Sequence, residues 1–357
     1  MGWLPSTPIQ ITAGVDVGYD DNATLTPSGE GSLFIGENVV LTYNRPGEAT
    51  QFYVLGIGRF DQYFNVSRND VDGNVTMSLT HNFSTRLSFY ASVYGAYQTE
   101  PNLRSNVGPE NVVSDHLYTS DIFSLTYHWS TRFSMITSYT FNRVQYTSSS
   151  VGNSQNRVQN TLGEEFQFSL TSRTVFVGEY RFEAINYDTA PTNSTTHYIL
   201  AGFDHHLTEH LIVRMRGGEL FRSLENDGDM ASPYFESSLG YVSSNHSLNW
   251  TTSYEFESST AAGVSTTKTW RTGLNLTYDL TSRLSSTTGV YYHHDENTGA
   301  TGSTGTQDSF DLTAGLRYTI NKHFTLNLDY SHTTLGSLGS TPGYSQNRYS
   351  GGLTYTY

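Results

Sequence analysis

Apolar and polar residues alternate along most of this chain with a period of two. The closing stretch, Arg348–Tyr357, shows it plainly: Tyr349, Gly351, Leu353, Tyr355 and Tyr357 fall on one track, Arg348, Ser350, Gly352, Thr354 and Thr356 on the other. Successive strand side chains point to opposite faces, so this pattern predicts a strand with two chemically different faces. Phe324, Leu326, Leu328 and Tyr330 likewise alternate with Thr325, Asn327, Asp329 and Ser331. The runs Ile9–Tyr19, Trp270–Leu280 and Phe310–Ile320 sort in the same way. About eighteen such strands are expected, from Ile9–Tyr19 to Asn347–Tyr357, and an even number puts both termini at one end of a barrel. No apolar run reaches the length of a membrane-spanning helix.

The connections between strands are of two kinds. One is a tight turn that recurs in recognisable copies: HNFSTRLS at 81–88, YHWSTRFS at 127–134, FSLTSRTV at 168–175, HHLTEHL at 205–211, YDLTSRLS at 278–285 and YTINKHFT at 318–325, with a fainter copy at 242–250. Copies lie about 36–46 residues apart, one strand pair per repeat. The other kind is longer and rich in Gly, Asn, Asp and Ser, as at 21–31, 98–110, 148–156, 296–307 and 335–346. Short turns at one end and long loops at the other are expected of a transmembrane antiparallel up-and-down β-barrel. A soluble β-sandwich has no reason to sort its loops by length. The expected organisation is a short periplasmic extension over residues 1–8 and a single barrel over 9–357.

Composition sharpens this all-β reading. Apolar residues make up 36% of the chain, yet there are 26 Tyr and 19 Phe and only 15% charged residues. In a barrel only every second strand residue meets lipid, so low hydrophobicity is compatible with spanning a membrane. Aromatic residues gather near strand ends: Phe83, Trp129, Phe133, Phe168, Phe176, Tyr278, Tyr318, Phe324 and Tyr357 by the short turns, Tyr19, Tyr97, Tyr187 and Tyr292 toward the loops. Two such belts fit the two membrane interfaces. There is no cysteine, which excludes a disulfide scaffold and a thiolate metal site. A net charge of −14 argues against nucleic acid as a partner. Met1-Gly2-Trp3 opens without a secretory leader, so the numbering is expected to start at a mature or recombinant N-terminus of an exported protein.

A charge facing lipid at the midplane costs about 2–4 kcal/mol, so the charged track must face the lumen. That assigns Asp16, Glu165, Glu179, Arg181, Glu183, Arg214, Arg216, Glu236, Glu255, Glu257, Arg271, Asp279, Asp311, Arg317 and Asp329 to the inner wall as pore-lining candidates. Such a mixture suits a water-filled channel with a transverse field, and equally a solvated wall without selectivity. Carboxylates outnumber arginines, which favours cations or neutral solutes. Glu164 and Glu219 fall on the apolar track beside Gly163 and Gly217-Gly218, where we expect either a β-bulge or a position above the membrane. His293-His294-Asp295-Glu296 is the densest group of ligand-type residues. On a strand its two histidines point to opposite faces and cannot share a metal. No cofactor and no catalytic motif is found. The basic residues of the turns, such as Arg86, Arg132, Arg173 and Arg283, suit either lipid phosphates or simple solubility.

The opening ITAGVDVGYDDNATLT, with Tyr19-Asp20-Asp21-Asn22 closing a glycine-rich strand, and the terminal aromatic Tyr357 resemble the β-barrel porin and polysaccharide-export barrel family of bacterial outer membranes. The resemblance implies transport and a Gram-negative outer-membrane location. It implies that Tyr349, Leu353, Tyr355 and Tyr357 form the assembly signal read by the barrel-assembly machinery. It also implies polysaccharide or export partners besides outer-membrane lipid. The expected function is a porin-like, non-enzymatic channel passing small hydrophilic solutes or exporting polysaccharide. The alternatives are an outer-membrane hydrolase and a structural or adhesive barrel.

Overall fold

The computed structural model describes residues 8–99, 114–190, 192–226, 228–257, 266–298, 305–338 and 342–357. In chain order the strands are β1 (Ile9–Asp20), β2 (Ser32–Arg45), β3 (Thr50–Tyr63), β4 (Asn69–Asn82), β5 (Leu87–Gln98), β6 (His116–His128), β7 (Phe133–Tyr146), β8 (Arg157–Ser169), β9 (Thr174–Tyr187), β10 (Ser194–His206), β11 (Leu211–Leu224), β12 (Gly228–Val242), β13 (His246–Glu257), β14 (Thr266–Asp279), β15 (Leu284–Thr298), β16 (Gly305–Thr319), β17 (Phe324–Leu335) and β18 (Tyr344–Thr356). A helical turn, α1 (Ser149–Gln155), sits in the connection between β7 and β8, where the sequence pattern predicts only a loop. Each strand pairs antiparallel with its sequence neighbours, and β1 pairs with β18, so the 18-stranded sheet closes on itself.

Closure brings the two ends of the chain together from Thr12↔Thr356 to Asp20↔Arg348. Gly352 is required there. A Cβ at that position would lie 2.7 Å from the Val15 carbonyl oxygen and 2.6 Å from Asp16 Cβ. Gly352 thus lets β1 approach, which its place in the alternation alone does not reveal.

The two faces are inverted relative to a soluble protein. Val15 and Val17 are 54% and 59% exposed, while Asp16 between them is 8% exposed. Leu33, Val39, Leu41, Phe60, Val71, Leu162, Ile199, Leu326 and Leu328 also lie on the exposed outward face. That continuous apolar band is what a barrel presents to lipid. Phe83, Trp129, Phe168, Phe176, Tyr278, Tyr318, Phe324 and Tyr357 ring the short-turn end with exposed rings. Tyr19, Trp270 and Tyr349 are exposed toward the long-loop end. Tyr187 does not join that belt. It pairs with Arg157 and shares its inward-facing track.

The six clear copies of the recurring turn have one mechanism. In each, a side-chain oxygen accepts from the backbone N–H groups two and three residues on. Ser84 Oγ accepts from Arg86 and Leu87, both at 3.1 Å. Ser130, Thr171, Thr208 and Thr281 hydroxyls do the same, and Asn321 Oδ1 takes that place in the last copy. The repeated Ser/Thr/Asn is therefore a local cap that sets hairpin register.

The expected β-bulges are absent. The register of β7–β8–β9 runs unbroken through Gly163 and Glu164, and that of β10–β11–β12 through Gly217, Gly218 and Glu219. Both carboxylates stay on the outward track, and Glu164 accepts from Thr137 Oγ1 at 2.9 Å.

Removing the caps together (Ser84→Ala, Thr171→Ala, Thr281→Ala) should destabilise the barrel by about 1 kcal/mol per turn. The check is the temperature at which the folded, heat-modifiable band disappears on a gel. An unchanged midpoint would show that the turns are set by the strands alone.

Candidate functional site in the barrel lumen

Strand parity brings most of the predicted charges to one sector of the inner wall. A cavity of about 620 Å³ is bounded by Arg181, Glu183, Arg214, Arg216, Glu236, Glu255, Glu257 and Arg271, with Tyr198, Tyr234 and His293 among them. Glu179 and Glu165 pair with Arg181 and Arg216 of its wall. Adjacent antiparallel strands put directly opposed residues on the same face, so a charge can reach across one or two strands without leaving the lumen.

Arg181 on β9 is the hub. Its Nη2 donates to Glu179 Oε2 at 2.9 Å and to Glu236 Oε1 at 3.1 Å, and its Nη1 donates to the Tyr234 hydroxyl at 2.9 Å. Tyr234 in turn donates to Glu236. Arg216 on β11 donates to Asp204 Oδ1 at 2.7 Å and lies 3.6 Å from Glu165. Arg214 lies 3.6 Å from Asp204. Arg271 on β14 pairs with Glu257. Glu183 accepts from Gln159 Nε2 at 2.7 Å. Each guanidinium is a planar fork of donors, so bracketing it with carboxylates fixes its orientation as well as its charge.

A second network lies across β1, β3 and β18. Arg59 Nη2 donates to Asp16 at 2.9 Å, its Nε donates to Asp61 at 2.9 Å, and Arg348 also donates to Asp61. Asp20 accepts from Gln346 at 2.8 Å and from the Tyr63 hydroxyl at 3.2 Å. Asp311 accepts from Thr333 at 3.0 Å. Asp329 is on the inward track of β17, paired with Gly315 and Ser350. Asp279 and Arg317 also face inward but are exposed at the short-turn end, away from both networks.

Sequence reasoning passed over Arg59, Asp61, Asp204 and Arg348. Parity would have found Asp204, which lies two residues from Gly202 and six from Tyr198 on the inward track. The run Asp204-His205-His206 instead reads as an interfacial cluster. His293 and His294 do point to opposite faces, because β15 continues past them to Thr298. His293 is buried in the lumen, whereas His294 Nδ1 lies 2.8 Å from Asp308 on the outward side. No group of metal-ligating side chains occurs among the described residues.

The inner wall between the networks, on β5–β7, carries no Asp, Glu, Lys or Arg. Tyr90, Ser92, Tyr94, Tyr118, Ser120, Ile122, Thr140 and Asn142 line it, with Tyr94 and Tyr118 edge to face at 5.9 Å.

Residues 11–357 match the sequence profile of the family described as putative beta-barrel porin 2. The chain belongs to that family. As a porin-like barrel it is a channel of the outer membrane, which sets its short turns on the periplasmic side and its long loops outside. No curated protein matches the sequence. Solved structures similar to this porin include OpdL of Pseudomonas aeruginosa, at 12% identity and a TM-score of 0.46, with 99% of each chain covered. OccAB3 of Acinetobacter baumannii is 11% identical with a TM-score of 0.45, covering 98% of this chain and 99% of that one. The siderophore receptor PirA of P. aeruginosa is 9% identical with a TM-score of 0.44, covering 99% of this chain and 81% of that one.

Arg181→Gln should leave Glu179 and Glu236 without their shared cation. In a salt gradient its reversal potential is expected to move toward that of a cation-selective pore. A shift toward anions, or none in a folded barrel, would show that Arg181 lies off the conduction path.

Proposed function

We propose that this porin is a channel passing small hydrophilic solutes, with a mild preference for cations and neutral molecules. The observation that carries this is the cavity bounded by Glu183, Glu236, Glu255 and Glu257, in which Arg181, Arg214, Arg216 and Arg271 are each paired with an acid. With Glu165, Glu179 and Asp204, which pair with these arginines, seven carboxylates stand against the five arginines that line the cavity, so the surplus is carboxylate. Fixed charges of both signs set across a lumen orient a passing dipole and retard ions of the wrong sign.

Polysaccharide export is the second reading, and the uncharged β5–β7 wall favours it. A lane of tyrosine rings flanked by hydroxyl and amide groups can stack on sugar faces while hydrogen-bonding their edges. Assembly through the last strand completes the proposal. Tyr349, Leu353, Tyr355 and Tyr357 form one outward-facing track, and Tyr357 is 84% exposed, so the barrel-assembly machinery can read it.

Single-channel recording in a planar bilayer tests the channel. Steady ohmic conductance with mild cation preference is expected, and Glu255→Gln with Glu257→Gln should reduce that preference. Inserted protein with no conductance would overturn the open-pore reading. Neutral dextran oligomers should block the current, and Tyr94→Ala with Tyr118→Ala should weaken the block. Dextran that never blocks would remove the saccharide reading and leave the ion channel standing.

A further inference from the structure

One seam of the wall is unlike the rest. β12 pairs with β13 only from Phe235↔Tyr254 to Val242↔Ser247. The same register would go on to Tyr234–Glu255, Pro233–Phe256 and Ser232–Glu257, and both strands continue through those residues. β12 stays on β11 up to Gly228, and β13 stays on β14 up to Thr267. At the other seams among the described residues, pairing stops within one residue of a strand end.

Pro233 accounts for the break. Val242 N–H donates across to His210 on the β11 side, and Ser243 N–H to His246 on the β13 side, at 3.0 and 2.9 Å. Backbone groups alternate in direction along an antiparallel strand, so odd residues of β12 face β13. Proline at 233 therefore leaves the β11 ladder intact and removes the donor that would hold Phe256.

The upper end of β13 has moved inward behind β12. Phe256 shares the outward parity of Trp250 and Tyr254, yet it is 3% exposed and packs with Tyr198, Leu200, Leu220 and Tyr234 of the inner face. Arg222 of β11 reaches past β12 to donate to the Glu257 carbonyl oxygen at 3.4 Å. The Phe256 ring thus closes an overlap between strands, with Arg222 Cζ 5.9 Å from it and Lys268 Nζ 5.6 Å from it.

Arg222 itself is 2% exposed. It donates to Ser194 Oγ at 3.0 Å, but its Nε has no hydrogen-bond partner, and no carboxylate among the described residues forms an ion pair with it. Glu183 faces it but accepts from Gln159 and Thr196, and the Glu257 carboxylate is taken by Arg271. Glu183 balances the charge of Arg222 without a direct hydrogen bond to it, but a buried Nε–H with no acceptor is costly and calls for one more acceptor oxygen.

We propose that the β12–β13 seam is a lateral opening through which an anionic single-chain amphiphile passes between the lumen and the outer leaflet. Its head binds Arg222 and its chain lies against Phe256, Leu220 and Tyr234. Lys268 gives the head a cation on the outward side of the same ring. The lumen meanwhile carries water-soluble solutes.

The test uses the full chain in lipid nanodiscs, referenced to empty discs, with dodecanoate, acetate and 1-dodecanol as probes. Dodecanoate should bind at least about tenfold tighter than acetate or dodecanol, and Arg222→Gln should bring it to the dodecanol level. Pro233→Val restores the missing donor and should slow dodecanoate association while leaving ionic conductance unchanged. Phe256→Ala, which keeps Arg222 and Pro233, should speed it. Acetate binding as tightly as dodecanoate would make Arg222 an anion site fed from the lumen and overturn the lateral route. So would a wild-type association rate in Pro233→Val and Phe256→Ala barrels shown folded by gel migration. Dodecanoate affinity unchanged in folded Arg222→Gln would overturn the binding site.

Discussion

Everything in this barrel follows from one requirement: in hydrocarbon, each backbone N–H and C=O must find its partner within the chain. An open sheet would leave two unpaired edges, so the first and last strands must meet. They do so along Thr12–Asp20 and Arg348–Thr356, and the close approach of Val15 and Asp16 demands glycine at 352. Once the ring is closed, parity is fixed all the way round. A slip of one residue would turn the apolar track into the lumen and the charged inner track into lipid.

The charged lumen is the price of that inversion. Groups that a soluble protein would leave in bulk water are drawn to the inner wall, where they are partly desolvated and must neutralise one another. The result is a set of short-range networks. Arg181 is held by Glu179 and Glu236, Arg216 by Asp204 and Glu165, and Arg59 by Asp16 and Asp61. These networks occupy two sectors and leave the inner wall of β5–β7 free of charge. A solute therefore meets walls of different chemistry on different sides, which is how one lumen can distinguish dipoles, ions and neutral rings.

What could be read in advance was whatever repeats. Alternation gave the strands, and the capped turns gave the pairing, because Ser84, Ser130, Thr171 and Thr281 act locally and leave a local signature. What could not be read depends on the neighbour. Glu164 looks like an error in the track until Thr137 appears opposite it. Asp204 looks like part of a histidine cluster until Arg216 reaches it from the next strand. Tyr187 looks like a belt residue until its ladder partner Arg157 shows which way it faces. The helical turn Ser149–Gln155 carries no periodic apolar stripe and so no signal of its own.

The β12–β13 seam applies the same backbone requirement in reverse. A proline on a barrel strand has one tolerable neighbour and one that loses a donor. Pro233 turns its tolerable side to β11, so the loss falls wholly on β13. The upper end of β13 is then free to leave the wall, and the wall keeps lipid out there with a side chain, the Phe256 ring, in place of a hydrogen-bonded ladder. A side chain can swing aside on a rotamer change, whereas a ladder must break cooperatively. A seam closed in that way is the cheapest place for the wall to open. The buried Arg222, with its Nε–H unsatisfied, stands directly behind it.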